Sequence, residues 1–324
     1  MSINERMKGM RIGVDIGGTN LVAGLTDAQF QIVDKVSTPT LGKRTEKEIV
    51  DDIIRLIQTL MKKHNLTEKD IESIGLGVPG WCNTDTGIIL ECDNVNFKNT
   101  PIAKLLQAAV NVPVYLANDA DCAALGEAYG GATKDVNHSI MVTIGTGVGG
   151  GIIIDKKIYN GFNHGGGEVG HMVIDMNGIE CVCGRRGCWE NYASATALIA
   201  QTRAAAKENT NSILYKSVGG NLEKINGKTA FDALAQGCPV AENVVDTFAR
   251  YLACGIVNLI SIFQPEMVVL GGGVSKAGAP LLGRVQAIID KECYGDVASL
   301  PRAKFCVAEL GNDAGVIGAA ALGI

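Results

Sequence analysis

The sequence predicts an α/β protein built from two similar halves facing a cleft, with a structural zinc site in one of them. Three observations predict this. A strand, glycine-turn, strand passage occurs twice, at Asp15-Ile16-Gly17-Gly18-Thr19-Asn20 and at Ile144-Gly145-Thr146-Gly147-Val148-Gly149-Gly150-Gly151. Helical apolar spacing alternates with short buried-strand runs along the chain. One histidine and three cysteines, His171, Cys181, Cys183 and Cys188, fall within eighteen residues.

In chain order, Met10 to Ile16 is a short apolar run, and Leu21 to Thr26 resumes it after the glycines, which reads as a hairpin. From Thr45 to His64, Ile49, Ile53, Ile54, Ile57, Leu60 and Met61 recur at helical spacing with acids early and lysines late, the order the helix dipole favours. Ile74 to Val78 and Val112 to Leu116 read as buried strands that deliver Pro79-Gly80 and Asn118-Asp119 at their carboxyl ends. A helix is expected over Ala123 to Tyr129. The second cycle begins at Ser139 with the strand Ile140 to Ile144, its glycine turn and Ile152-Ile153-Ile154. A long helix over Ala241 to Phe263, a strand over Met267 to Leu270, the turn Gly271-Gly272-Gly273 and a helix over Ala314 to Leu322 complete the pattern.

A chain of 324 residues with 47% hydrophobic and 19% charged residues supplies two ordinary cores. The net charge of −5, with Lys and Arg scattered, gives no footprint for nucleic acid. No secretory signal precedes the first strand, and the cysteines outside the cluster have no regular spacing, so a cytoplasmic setting with reduced thiols is expected. Runs such as Ile256 to Phe263 are short and interrupted, so no membrane span is expected.

Four Cys and His ligands are what tetrahedral zinc accepts, and a full protein shell leaves no open position for water, so the expected zinc is structural. Gly184 and Gly187 allow the tight turns that bring Cys183 and Cys188 to one ion. Two carboxylates, Glu168 and Glu190, flank the cluster.

The run Gly145-Thr146-Gly147-Val148-Gly149-Gly150 contains a literal G-x-G-x-x-G. A dinucleotide site needs a helix immediately after those glycines, whereas Ile152-Ile153-Ile154 is strand-like, so a nicotinamide enzyme is rejected. Paired glycine and threonine turns can hold phosphate oxygens through backbone N–H groups and a hydroxyl. Asp15, at a strand end beside the first turn, suits a water-bridged Mg²⁺. The local sequence leaves Asn118-Asp119-Ala120-Asp121 open between a helix N-cap and a catalytic base.

These motifs, with Gly77-Val78-Pro79-Gly80, Gly167-Glu168-Val169-Gly170-His171-Met172 and Cys181-Val182-Cys183-Gly184-Arg185-Arg186-Gly187-Cys188-Trp189-Glu190, resemble the ROK family of sugar kinases. The resemblance covers essentially the whole chain and departs from the family only at Val182 and Asp121, where relatives commonly carry glycine and asparagine. It implies two actin-like, ribonuclease H-like domains flanking the cleft: a smaller one from 1–117 plus 310–324, and a larger one from 118–309 that carries the zinc segment.

By the same resemblance, Asp119 removes the proton of a sugar 6-hydroxyl. Gly80, Asn94, Asn118, Glu168, His171 and Glu190 complete the sugar pocket. Gly17, Gly18, Thr19, Asn20, Gly145, Thr146, Gly147, Gly272 and Gly273 face ATP with Mg²⁺ at Asp15. Glucose is the favoured hexose, with N-acetylmannosamine or another hexose as alternatives, and a homodimer or homotetramer is implied. The family also includes non-catalytic sugar-sensing repressors; the short stretch ahead of the first core strand is expected to leave no room for their DNA-binding domain.

Overall fold

The computed structural model describes residues 9–92, 95–294 and 301–324. The chain forms two compact units, one from residues 1–141, 151–167 and 308–324, the other from 142–150 and 168–307.

In chain order the strands are β1 (Met10–Ile16), β2 (Asn20–Thr26), β3 (Ile32–Pro39) and β4 (Ile71–Val78), then a small antiparallel trio, β5 (Trp81–Asn83), β6 (Ile88–Cys92) and β7 (Phe97–Thr100), and then β8 (Val114–Asn118). The main sheet runs β3-β2-β1-β4-β8. β1 pairs antiparallel with β2 and parallel with β4, so the first glycine turn sits at the carboxyl end of a central strand. The helix Glu46–Lys63 covers this sheet with Ile49, Ile53, Ile57 and Leu60, all fully buried. Thr45 and Glu48 form a capping box at its start, a device that contributes about 1 kcal/mol. The helix Ala314–Ala321 packs on the other elements of the same unit with almost no side-chain spacing. A methyl on Gly13 would lie 1.9 Å from the Val316 carbonyl oxygen, one on Gly75 1.7 Å from that of Ala319, and one on Gly318 1.6 Å from that of Cys122.

The second sheet uses β9 (Ser139–Ile144), β10 (Val148–Ile154), β11 (Lys157–Ile158), β12 (Met267–Gly271) and β13 (Lys304–Val307) in the order β11-β10-β9-β12-β13. Its first three strands in sequence sit third, second and first, followed by the fourth and fifth, which is the order of the first sheet. The repeated hairpin expected from sequence is therefore the start of a repeated five-strand sheet. β10 begins within the glycines at Val148, as the rejection of a dinucleotide fingerprint requires.

The second unit is largely helical around Pro239–Phe263, a 25-residue helix with Pro239 at its first turn. An 18-residue stretch of it has a mean hydropathy of 1.3, long and apolar enough by composition alone for a bilayer span, a correction to the short interrupted runs read from sequence. Its Phe248, Leu252 and Ile256 are fully buried, which makes it a core helix of this unit.

Candidate functional site

In the first unit, the turn after β1 is closed by the Gly17 N–H donating to the Asn20 carbonyl (3.0 Å), by the Thr40 N–H donating to the Thr19 carbonyl (2.8 Å), and by the Thr40 hydroxyl donating to the Gly17 carbonyl (2.5 Å). Gly18, Thr19 and Asn20 remain exposed. Asp15 stands beside this turn, and the amino end of the helix Ala314–Ala321 lies against it: a methyl on Gly315 would come within 3.1 Å of its carboxylate. Burial, and then the negative charge of Asp119, push the Asp15 carboxyl up to about 6. A bound cation offsets both the lost solvation and the repulsion from Asp119, so this position fits Mg²⁺.

Asn118 is the N-cap of the helix Asp119–Gly130, its side chain accepting from the Ala120 N–H (2.8 Å) and donating to the Gly80 carbonyl (3.3 Å). Asp119 is the first helical residue, is exposed, and accepts from the same Ala120 N–H (2.9 Å). Asn118 thus ties Gly80 to the start of this helix. Asn94 lies outside the described residues.

In the second unit, the turn Gly145 to Gly147 is held from below. The Ala195 N–H donates to the Gly145 carbonyl (2.8 Å) and the Thr196 hydroxyl to the Thr146 carbonyl (2.7 Å), both from the start of the helix Ala195–Glu208 that Ser194 caps. Sequence reading missed this support, although Ser194 ahead of an alanine-rich run is an N-cap signal. Gly272 has φ +82° and packs against the Ile144 backbone, and Gly273 opens a 3₁₀ turn with open space where a β-carbon would stand.

The one histidine and three cysteines do converge. Their ligand atoms all lie within 4.8 Å of one another. Cys181 Sγ is 3.6 Å from His171 Nδ1, and Cys183 Sγ is 3.6 Å from Cys188 Sγ. Tetrahedral zinc with ordinary bond lengths sets sulfur–nitrogen edges of about 3.6 Å and sulfur–sulfur edges of about 3.8 Å. The Cys183–Cys188 separation is far too long for a disulfide, whose sulfurs lie about 2.05 Å apart. Gly187 (φ +72°) makes this convergence possible, since a methyl there would sit 1.6 Å from the Asp175 carbonyl oxygen. Burial pushes the Cys188 thiol up to about 12. The Cys183 thiol is lowered, first by the backbone N–H of Arg185.

The carboxylates beside the cluster differ. Glu168 is exposed and stands just before the 3₁₀ turn Val169–His171 without a side-chain capping bond, while Glu190 is half-buried. Glu190 Oε1 lies 3.4 Å from His171 Nδ1 and accepts from the Cys181 thiol at 3.3 Å. Its Oε2 lies 2.8 Å from where a methyl on Gly147 would stand. One carboxylate thus borders both the Cys/His cluster and the glycine turn. Trp189, between Cys188 and Glu190, is fully buried and donates its indole N–H to the Tyr251 carbonyl at 2.7 Å.

The ROK family profile matches residues 11–324. A glucokinase of Halalkalibacterium halodurans is 37% identical over 95% of this chain and 92% of its own. A xylose repressor of Caldicellulosiruptor bescii is 32% identical over 97% of this chain and 78% of its own. Among solved structures, a ROK family glucokinase from Streptomyces griseus in complex with glucose and AMPPNP superposes with a TM-score of 0.76 at 34% identity, covering 97% of this chain and 99% of that one. With the glycine turns, the capped Asn118-Asp119 helix and the Cys/His cluster in place, the chain belongs to the ROK family.

Proposed function

We propose that the protein is an ATP-dependent hexose kinase that phosphorylates the 6-hydroxyl of glucose. The observation that carries this reading is Glu190, a half-buried carboxylate bordering the Cys/His cluster on one side and the Gly145 to Gly147 turn on the other. A plain ATPase has no use for an acid so placed, whereas a sugar kinase needs hydroxyl acceptors beside phosphate donors. The similar glucokinases support glucose as the acceptor.

In this reading Asp119 accepts the 6-hydroxyl proton as the oxygen attacks the γ-phosphorus. The bond from that phosphorus to the bridging oxygen breaks, leaving ADP and glucose 6-phosphate. Glu168 and Glu190 accept from the other sugar hydroxyls and the His171 Nε2–H donates to one of them, with Gly80, Asn94 and Asn118 completing the pocket. Residues Gly17, Gly18, Thr19, Asn20, Gly145, Thr146 and Gly147, with Gly272 and Gly273, hold the nucleotide. Mg²⁺ near Asp15 would neutralise phosphate charge.

Zinc on His171, Cys181, Cys183 and Cys188 would act as a brace. His171 offers Nδ1 to the cluster, which leaves Nε2 for a sugar hydroxyl. A metal-bound Cys181 no longer carries the proton it donates to Glu190, so that carboxylate becomes available to the sugar. A cytoplasmic homodimer or homotetramer accords with the reading.

The test is ADP release with ATP and Mg²⁺ against glucose, N-acetylmannosamine, N-acetylglucosamine, fructose and allose, with an Asp119→Asn control. Glucose-dependent turnover that falls by about 10²-fold or more in the control is expected. Similarity to a xylose repressor gives the second reading its weight: sugar binding without ADP release from any sugar would replace the kinase with a sugar sensor.

A further inference from the structure

One fully buried carboxylate in the first unit has no part in the chemistry above. Glu127, in the helix Asp119–Gly130, has a relative exposure of 0%. Burying a carboxylate is costly unless donors surround it. Its oxygens accept three backbone N–H groups from two loops, Ala132 (2.7 Å) just past its own helix, and Glu309 (3.2 Å) and Leu310 (2.9 Å) far along the chain. Hydrogen bonds to an ionised acceptor are about twice as strong as neutral ones. The segment they hold runs through exposed Gly311 and Asn312 into the helix Ala314–Ala321, whose Gly315 abuts the Asp15 carboxylate.

We infer that Glu127 is a positioning residue for the nucleotide side of the reaction: it fixes residues 309–313, which carry the helix start against Asp15, so that the Mg²⁺ and phosphate site is preformed. This rests on the kinase reading. The body of the helix is clamped separately, by the backbone contacts at Gly13, Gly75 and Gly318, so loss of the Glu127 bonds loosens the loop and leaves the sheet intact. The effect belongs to ATP and not to the sugar, because among the described residues the Glu127 carboxylate bonds to Ala132, Glu309 and Leu310, on the nucleotide side.

The test is Glu127→Gln, which keeps the shape but turns one acceptor into a donor facing N–H groups. KM for ATP is expected to rise about tenfold, with KM for glucose and kcat within about twofold of the parent. Leu310→Pro removes that donor, together with the leucine side chain, at a φ of −80° that proline accepts, and is expected to reproduce the selective rise. Calorimetry of a non-hydrolysable ATP analogue with Mg²⁺ in the absence of sugar should show the same loss of affinity in both variants. Parallel rises in both KM values, or unchanged analogue affinity in the folded variants, would overturn the assignment of Glu127. A parent protein that binds the analogue but releases no ADP with any hexose would overturn the kinase reading alone.

Discussion

Replacing Gly255 with alanine sets two physical effects of opposite sign against each other. In an exposed helix interior the change stabilises by about 1 kcal/mol. Here the new methyl would lie 2.0, 2.3 and 2.4 Å from three atoms of the Trp189 ring, where carbon pairs rest at about 3.5–4.0 Å. The indole must retreat by roughly 1.5 Å, yet it is fully buried, so overpacking costs about 1–3 kcal/mol. The retreat also strains the indole N–H bond to the Tyr251 carbonyl, and a buried donor left unpaired costs about 1–3 kcal/mol. The net expectation is destabilisation of about 3 kcal/mol and a melting temperature lower by roughly 5–10 °C. Because Trp189 joins Cys188 to Glu190, KM for glucose should rise as well. Thermal melts monitored by tryptophan fluorescence measure this, Trp81 being half-exposed and Trp189 the buried reporter. A melting temperature that rises, with unchanged emission, would refute the claim that Gly255 exists to admit the indole.

Three further outcomes follow from the site. The raised Asp15 carboxyl favours the ligand-free fold while protonated; that contribution is full below about pH 4 and is lost as pH rises through about 6. Asp15→Asn should therefore melt higher than the parent at pH 8 without Mg²⁺, with the gap closing towards pH 4; a constant gap would refute the burial argument. Stripping metal with a chelator should raise KM for glucose about tenfold or more while nucleotide-analogue affinity holds, with zinc restoring the parent value; an unaffected KM in demonstrably zinc-free protein would separate the cluster from the sugar site. Gly315→Ala should weaken ATP binding by displacing the Asp15 carboxylate, and unchanged Mg²⁺ dependence in steady-state kinetics would count against that contact.

The glycine hairpins, the Glu46–Lys63 helix and the Cys/His cluster were legible because each is local: periodicity, capping chemistry and ligand spacing lie within a few turns of chain. β3 was not legible, since its pattern is inverted. Val33 faces solvent while Asp34 turns partly inward to meet Lys63 and His64. The Asp119–Gly130 helix starts four residues before its expected first residue because Asn118, not the acids after it, is the cap. Among residues that shape the site, Thr196, Glu127 and Gly315 escaped notice. Their partners, at 146, 309–310 and 15, are distant in sequence, and no window of residues contains both sides of such a contact.

The seam between the helix Ala314–Ala321 and the elements it covers has a consequence for biosynthesis. Strands and helices formed from residues 10 to 130 leave a groove that this helix fills, with atoms meeting too closely for any methyl at Gly13, Gly75 or Gly318. Residues 131 to 313 must be made before that groove is filled. A nascent chain on the ribosome therefore carries the first unit as an open half-core, and its apolar groove needs shielding until the closing helix emerges.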